Sequence, residues 1–249
     1  MPRFIIKLAY SGTNYHGWQM QDNAHSVQSE LSEKLSILTK QKVSITGCGR
    51  TDTGVHSREF YAHFDIDKLD WNTKDLVYKL NSFLPYDIVI YGINEVSSEF
   101  NTRFDAKSRT YRYYLTTVKD PFKEKTSYYY NGKLDLENMN RACEFLYDYT
   151  DFTSFSKLHT QTATNNCKIN YALFEIFDNE IVFTITADRF LRNMVRAIVG
   201  TLLEIGKGKM QVEAIRDIII AKDRSKAGFS VPAHGLFLEK VDYGDLNIG

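Results

Sequence analysis

The feature that most constrains the fold is an alternation of β-type and α-type hydrophobic patterns that runs along the chain twice. In the first half the patterns predict strands at 3–10, 42–48, 59–66 and 87–93, with helices that begin after Ser26 and at Asn72 or Thr73. Ser and Asn are favoured helix N-caps, and Pro85 ends the second helix. The predicted order is β-α-β-β-α-β, the ferredoxin-like arrangement.

The second half repeats this topology without visible sequence identity. Its patterns predict strands at 108–118, 167–177, 180–187 and 236–242, and helices at 135–147, 189–205 and 211–221. We therefore predict an α+β protein of two ferredoxin-like halves, 1–105 and 106–249, related by pseudo-symmetry. Two sheets of this kind flank a central cleft, which suits an extended polymer ligand.

The charge balance alone does not indicate a nucleic-acid-binding protein. The chain of 249 residues carries 31 Lys and Arg against 31 Asp and Glu, whereas a basic footprint is typical of such proteins. The basic residues are clustered, however, in 103–112, 119–125, 189–196 and 222–226. A basic groove on a neutral protein is compatible with this distribution.

The cysteines and the N-terminus bear on the compartment. Three cysteines, Cys48, Cys143 and Cys167, are an odd number without metal-type spacing, which indicates reduced thiols. The first residues lack the apolar core of a signal peptide, and no apolar run approaches the roughly 20 residues that span a bilayer. We therefore predict a cytoplasmic protein that does not associate with a membrane.

The segment 47–56, Gly-Cys-Gly-Arg-Thr-Asp-Thr-Gly-Val-His, is the first candidate site. Its glycines permit a tight course between two strands, so that Arg50, Thr51, Asp52 and His56 are presented on a rigidly held loop. A hairpin turn is the alternative, because Asp and Gly are common in turns.

Two other chemistries fit parts of this loop. Asp-Thr-Gly is the local signature of an aspartic protease, but that chemistry needs two carboxylates and the chain has no second copy of the motif. A metal site formed by Asp52, His56 and His63 is also conceivable, although His63 alternates within a strand and favours a packed core position. No zinc motif of the His-Glu-x-x-His type occurs.

The strand Ser108-Arg-Thr-Tyr-Arg-Tyr-Tyr-Leu-Thr is the second candidate. Alternation places Arg109, Tyr111 and Tyr113 on one face. Arg and Tyr on one face could bind phosphates and stack on unpaired bases. A tyrosine-rich core strand with snorkelling arginines is the competing interpretation.

The third candidate begins at Asp188 and continues Arg-Phe-Leu-Arg-Asn-Met-Val-Arg. In a helix over 189–205, Arg189, Arg192 and Arg196 would form one stripe at spacings of three and four. A solvated basic face is the ordinary interpretation of such a stripe. Arg196 lies among apolar residues and would need a carboxylate partner, which Asp52 could be.

Together these segments closely resemble the TruA-type tRNA pseudouridine synthases. The resemblance runs in order through Tyr10-Ser-Gly-Thr-Asn-Tyr-His-Gly-Trp-Gln, Ser26-Val-Gln, Gly49-Arg-Thr-Asp-Thr-Gly-Val-His, Phe100-Asn-Thr-Arg-Phe-Asp-Ala-Lys-Ser-Arg-Thr-Tyr-Arg-Tyr, Asp151-Phe-Thr-Ser-Phe, Phe190-Leu-Arg-Asn-Met-Val-Arg and His234-Gly-Leu-Phe-Leu. The Gly-Arg-Thr-Asp block is the most specific of them.

The resemblance implies two ferredoxin-like halves around a basic cleft and a homodimer that accommodates tRNA. It implies isomerisation of uridine to pseudouridine at positions 38, 39 and 40 of the anticodon stem-loop, with no metal or organic cofactor. Asp52 matches the catalytic aspartate, Arg50 the arginine that displaces the target base, Tyr111 the stacking tyrosine and Arg196 the arginine paired with the carboxylate. Thr51, His56, Arg103 and Arg109 complete the predicted substrate site.

Two departures from the family pattern lie near the predicted site. Asn101-Thr102 stands where many members have His-Ala, and Thr53 stands where Ala is common. These replacements leave the proposed chemistry intact and bear on RNA contacts. A non-catalytic RNA-binding protein of the same fold is the alternative function, since it would not need a particular aspartate.

Overall fold

The computed structural model describes residues 1–157 and 164–244, which form nine β-strands and five α-helices. The strands are β1 (Arg3–Tyr10), β2 (Ile45–Gly47), β3 (His56–Asp65), β4 (Ile88–Val96), β5 (Ser108–Thr116), β6 (Tyr128–Tyr129), β7 (Ile169–Phe177), β8 (Glu180–Ala187) and β9 (Leu236–Asp242). The helices are α1 (Val27–Thr39), α2 (Thr73–Phe83), α3 (Leu136–Glu144), α4 (Met194–Gly206) and α5 (Ala214–Ala221). The protein is therefore of mixed α+β class, as predicted.

The chain forms two compact units. The first contains residues 1–107 and 238–249, and the second contains residues 108–237. These units divide the chain differently from the predicted halves 1–105 and 106–249, because most of β9 packs with the first unit. The Lys107 N–H donates to the Asp242 carbonyl at 2.7 Å, which ties the end of β9 to this unit.

The first unit is built on an antiparallel sheet in the order β4-β1-β3-β2. β1 pairs with β4 on one side and with β3 on the other, and β9 also lies beside β3. Apolar side chains of β1 such as Ile5, Ile6 and Leu8 are fully buried, so this strand is central to the core. Phe60 and Phe64 of β3 are buried beside it.

Polar side chains start the helices of the first unit. The Ser26 hydroxyl accepts from the Ser29 N–H, and the Ser29 hydroxyl is bonded in return to the Ser26 N–H, which completes a capping box. Asn72 caps α2 by accepting from the Asp75 N–H at 2.9 Å. Both caps were predicted from the sequence.

The second unit contains the sheet order β5-β8-β7, again antiparallel. Asp178 adopts a left-handed conformation, with φ of 52°, in the tight turn that joins β7 to β8. The short strand β6, which the sequence did not predict, pairs in parallel with the end of β5. α4 is almost entirely apolar and buried.

Asparagine side chains occupy the outer edge of each sheet. The Asn81 amide on α2 accepts from the Ile90 N–H and donates to the Ile90 carbonyl, both at 2.8 Å. Asn140 on α3 makes the same pair of bonds with Phe174 of β7, at 2.7 and 3.0 Å. These amides satisfy edge groups that would otherwise be open to pairing with another chain.

One helix prediction is wrong in a way that affects the third candidate. α4 begins at Met194 and not at Arg189. Asn193 takes a left-handed conformation with φ of 67°, and its amide donates to the Ser230 hydroxyl at 2.6 Å. A left-handed residue interrupts helical geometry. Arg189 and Arg192 therefore do not share a helical stripe with Arg196.

Two predictions about the environment can be compared with the structure. Cys48, Cys143 and Cys167 are free thiols, as predicted, and all three are buried. Burial raises the pKa of the Cys143 and Cys167 thiols. Across the described residues, no helix is both long enough and apolar enough to cross a membrane.

Candidate active site

Asp52 lies in a tight turn between β2 and β3. The Val55 N–H donates to the Asp52 carbonyl at 3.1 Å, which closes the turn. Gly54 has a φ of 79°, a left-handed conformation that favours glycine. The Asp52 side chain is partly buried, whereas its neighbours Arg50 and Thr53 are exposed. The turn therefore holds one partly buried carboxylate between a buried residue, Thr51, and an exposed one, Thr53.

Residues 11–18, which we call the glycine loop, pack backbone to backbone against this turn. The Trp18 N–H donates to the Thr51 carbonyl at 3.3 Å, and the Gly54 N–H donates to the Tyr15 carbonyl at 3.4 Å. A Cβ on Gly12 would lie 2.0 Å from the Val55 oxygen, and one on Gly17 would lie 2.2 Å from the Thr51 oxygen. Only glycine permits this approach on both sides of Asp52.

Two predicted substrate-binding residues are buried beside the turn. Thr51 is 8% exposed, and its hydroxyl forms a 2.9 Å hydrogen bond with the Tyr10 hydroxyl. His56 is 2% exposed, and its Nδ1 accepts from the Gly12 N–H at 3.1 Å. Both side chains thus position the turn within the first unit. Their direct contact with RNA stays a prediction.

Arg103 is exposed on a second turn of the first unit. The Asn101 side-chain oxygen accepts from the N–H groups of Arg103 and Phe104, and Asp105 accepts from the Asn101 N–H at 2.7 Å. Phe104 is 76% exposed beside it. Asn101 therefore shapes the turn that presents Arg103, while its neighbour Thr102 is buried.

Thr102 is part of a buried polar pair. Its hydroxyl lies 2.8 Å from His63 Nδ1 and donates to the Thr46 carbonyl at 3.1 Å. The Tyr243 hydroxyl donates to the Thr102 carbonyl at 2.6 Å. Burial, followed by the charge of Arg3, lowers the pKa of His63. His63 is thus the packed core residue that its strand position favoured.

Tyr111 and Tyr113, which share one face of β5, have different roles in the second unit. Tyr113 is fully buried and donates its hydroxyl to the Pro232 carbonyl at 2.9 Å, so it belongs to the core. Tyr111 is partly exposed, and its ring contacts Phe190 edge to face at 5.1 Å. The predicted platform is therefore limited to the start of the strand, where Arg109 donates to the Asp188 carbonyl at 2.8 Å.

Arg196 lies in the first turn of α4 and is partly buried. Its Nε donates to the Val231 carbonyl at 2.7 Å, and the Val231 N–H donates to the Arg196 carbonyl at 3.2 Å. These bonds fix the guanidinium on the second unit. The pairing of Arg196 with Asp52 stays a prediction.

Comparison with known proteins identifies the family. A family model described as "tRNA pseudouridine synthase" matches residues 7–105 and 149–244. The chain belongs to the tRNA pseudouridine synthase family. It is 54% identical over 243 residues to a tRNA pseudouridine synthase A of Parabacteroides distasonis, covering 98% of this chain and 96% of the relative. It is 52% identical to relatives of the same name from Bacteroides thetaiotaomicron and Porphyromonas gingivalis, covering 98% of this chain and 91% and 98% of the relatives.

This family membership makes the protein an isomerase, a pseudouridine synthase. The family match includes Asp52, Arg50, Thr51, His56, Arg103 and Arg196, and it leaves Arg109 and Tyr111 in the interval between its two segments. Membership of this family decides against the interpretation of Asp-Thr-Gly as an aspartic-protease motif. Within the described ranges, no group of three His, Cys, Asp or Glu side chains is arranged to hold a metal ion.

The sequence patterns assigned no role to the residues that support the candidate site residues. Tyr10, Gly12 and Gly17 hold the Asp52 turn, and Val231 holds Arg196. Two closely spaced glycines after β1 were a usable signal, since such glycines often mark close approach of another backbone. Nothing local in the sequence indicated Val231.

Proposed function

We propose that this enzyme isomerises uridine to pseudouridine at positions 38, 39 and 40 of the tRNA anticodon stem-loop, with Asp52 as the catalytic carboxylate. One observation carries the proposal: Asp52 is half-buried in a turn that is clamped on both sides by backbone contacts at Thr51, Gly54 and Val55. A rigid support for a single carboxylate is typical of a catalytic group and unnecessary for a plain hairpin.

The reaction breaks the C1′–N1 bond of uridine, rotates the uracil and forms a C1′–C5 bond. The proton on C5 is lost and N1 gains one, so the product is an isomer of the substrate. A stacked base cannot rotate in this way, and the nucleotide must be flipped out at a cost of a few kcal/mol. A carboxylate such as Asp52 can act as nucleophile or as base in this sequence.

Tyr111 is the residue proposed to receive the flipped uracil. Its ring orientation is fixed by the edge-to-face contact with Phe190, and stacking of a base on an aromatic ring contributes about 1–3 kcal/mol. That amount offsets much of the cost of flipping. Arg50, exposed two residues before Asp52, is proposed to displace the base from the helix.

Arg103 and Arg109 are proposed to bind the RNA backbone. Arg103 is exposed on the turn shaped by Asn101, and Arg109 is held by the Asp188 carbonyl at the start of β5. Guanidinium groups bind phosphate oxygens through charge-assisted hydrogen bonds. Arg196 is proposed to pair with the catalytic carboxylate and orient it through a charge-assisted hydrogen bond.

The proposal extends to the organisation of the protein. In the first unit β3 lies between β1 and β2, and in the second unit β8 lies between β5 and β7. If the short β6 is left out, the third strand along the chain lies between the first and the second in each unit. This shared order supports two ferredoxin-like halves. The active protein is proposed to be a homodimer in the cytoplasm, and three buried thiols are compatible with that compartment.

The test uses tRNA transcripts that carry uridine at only one of positions 38, 39 and 40, and a fourth transcript with none of the three. Pseudouridine is mapped after incubation with the purified enzyme. Conversion of the first three transcripts and no modification of the fourth is the expected result. Modification confined to another arm of the tRNA would refute the assigned positions, while still showing that the enzyme is active.

A further inference from the structure

We propose that Asp87, immediately before β4, is a positioning residue that fixes the Asp52 turn through the glycine loop. The inference rests on the proposed role of Asp52. No motif in the sequence singled out Asp87, and it lies outside the turn itself. Its contacts and those of the glycine loop form a continuous path within the first unit.

Three oxygen atoms of Asp87 accept hydrogen bonds from the glycine loop. Its carbonyl accepts from the Ser11 N–H at 2.8 Å. One carboxylate oxygen accepts the Tyr15 hydroxyl at 2.6 Å, and the other accepts the Asn14 amide at 2.9 Å. A short hydrogen bond to a carboxylate is stronger than a bond between neutral groups. Both carboxylate oxygens of Asp87 are therefore used on one short loop.

Tyr15 connects this anchor directly to the catalytic turn. Its hydroxyl is bonded to Asp87, and its carbonyl accepts from the N–H of Gly54, which is two residues from Asp52. Tyr15 is 3% exposed, and its ring stacks on His25 at 5.1 Å. Burial, and then the hydrogen bond to Asp87, raise the pKa of the Tyr15 hydroxyl, which keeps it a proton donor.

The ends of the glycine loop complete the path. Gly12 donates its N–H to His56 and lies against the Val55 oxygen, while Gly17 and Trp18 lie against the Thr51 carbonyl. The glycine loop thus fixes the backbone on both sides of Asp52, at Thr51 and at Val55. If Asp87 releases the loop, Asp52 loses its support without any change in its own side chain.

Loss of the Asp87 side chain should lower the rate of pseudouridine formation and leave tRNA binding unchanged. Displacing a catalytic group by about 1 Å can lower a rate about 100-fold. The hydrogen bonds of Asp87 go to Ser11, Asn14 and Tyr15 of the glycine loop, so its loss should leave Arg103, Arg109 and Tyr111 in place. The kinetic signature of a positioning residue is therefore a lower single-turnover rate at saturating enzyme with an unchanged Kd for tRNA.

The experiment compares Asp87→Ala, Asp87→Asn and Tyr15→Phe with wild type. Asparagine keeps an oxygen that can accept the Tyr15 hydroxyl, so Asp87→Asn should recover most of the rate that Asp87→Ala loses. Tyr15→Phe should also lose rate, and the double variant should be no slower than Asp87→Ala alone, because both substitutions remove the hydrogen bond between Tyr15 and Asp87.

Asp65→Ala is the matched control. Asp65 also accepts two hydrogen bonds, both from Arg3, and it lies beside the opposite end of β1. Its loss should lower the melting temperature without changing the single-turnover rate of the folded enzyme. This comparison separates loss of positioning from loss of stability.

Asp52→Asn is measured in the same series to separate the two proposals. An active Asp52→Asn variant would overturn the role of Asp52 itself. An inactive Asp52→Asn variant beside Asp87→Ala and Tyr15→Phe at wild-type rate would overturn only the role of Asp87. If Asp87→Ala does not fold, the Tyr15→Phe rate decides, since that variant keeps the carboxylate: a wild-type rate contradicts the inference and a large loss supports it.

Discussion

Arg196 and Val231 exchange two hydrogen bonds: Arg196 Nε donates to the Val231 carbonyl at 2.7 Å, and the Val231 N–H donates to the Arg196 carbonyl at 3.2 Å. The neighbouring Ser230 hydroxyl accepts from Asn193 and from Arg224. The segment that holds Arg196 is therefore itself fixed to the start of α4. The Nε bond sets the plane of the guanidinium.

Replacing Arg196 with Lys should lower the rate strongly although the positive charge is kept. Lysine has no donor equivalent to Nε and no planar group, so the bond that orients the cation is lost. Single-turnover rates with saturating enzyme check this expectation. Arg216→Lys is the control, because Arg216 is an exposed residue of α5 that packs over the Phe145 ring. Equal rates for the two variants would contradict the prediction.

Tyr111 and Tyr113 should separate binding of the flipped base from core stability. Tyr111→Ala removes the stacking ring and should lower the rate by about 5- to 150-fold, the equivalent of roughly 1–3 kcal/mol. Tyr111→Phe keeps the ring and should lose much less. Tyr113→Phe should lower the free energy of unfolding by about 1 kcal/mol through the lost bond to Pro232, with little change in rate. A large loss of rate in Tyr113→Phe with little loss in Tyr111→Ala would contradict the role of Tyr111 as the stacking residue.

The buried Thr102 hydroxyl should contribute substantially to the free energy of unfolding, although it lies in an exposed turn. Thr102→Ala leaves His63 Nδ1 and the Thr46 carbonyl without this partner, at an expected cost of about 1–3 kcal/mol in the free energy of unfolding. Thr53→Ala, the other replacement toward the common family residue, lies on the exposed part of the Asp52 turn and should change stability by less than about 0.5 kcal/mol. Urea unfolding of both variants measures the difference; equal stabilities would show that the His63–Thr102 pair contributes nothing.

The Arg3–Asp65 pair predicts how stability changes in acid. The hydrogen bonds from Arg3 lower the pKa of Asp65 in the folded protein. A depressed pKa stabilises the folded state above the unfolded value of about 4, and this stabilisation is lost as the pH falls through the folded value. Asp65→Asn should therefore destabilise the protein at pH 7 and reduce the further loss between pH 5 and pH 3. Parallel pH profiles for wild type and variant would exclude this linkage.

Much of the architecture was predictable because local patterns and the fold agree. The caps at Ser26 and Asn72 start α1 and α2 as expected, and alternating apolar residues form β1 and β3. The start of α4 was predicted wrongly, since an apolar periodic pattern continues through Asn193 while the backbone there is left-handed. A tertiary contact, the Asn193 bond to Ser230, overrides the helical pattern.

The candidate residues could be named from the sequence, whereas the contacts that hold them could not. Asp52, Arg50 and Tyr111 stand in recognisable motifs, whereas Asp87 is separated from the turn by more than thirty residues of sequence and is linked to it through the folded glycine loop. The alternation that placed Tyr111 and Tyr113 on one face could not tell which ring is buried. Burial depends on the segment at Pro232, which the strand pattern does not contain.

The most direct test of the account is the amount of pseudouridine formed in tRNA by Asp52→Asn, measured with tRNA saturating and with its Kd determined in parallel. Asparagine preserves the size of the side chain and removes its charge, so the turn and the RNA contacts should persist. The account predicts wild-type affinity for tRNA and no pseudouridine above the enzyme-free background. Pseudouridine formation by Asp52→Asn at a rate close to that of wild type would contradict it.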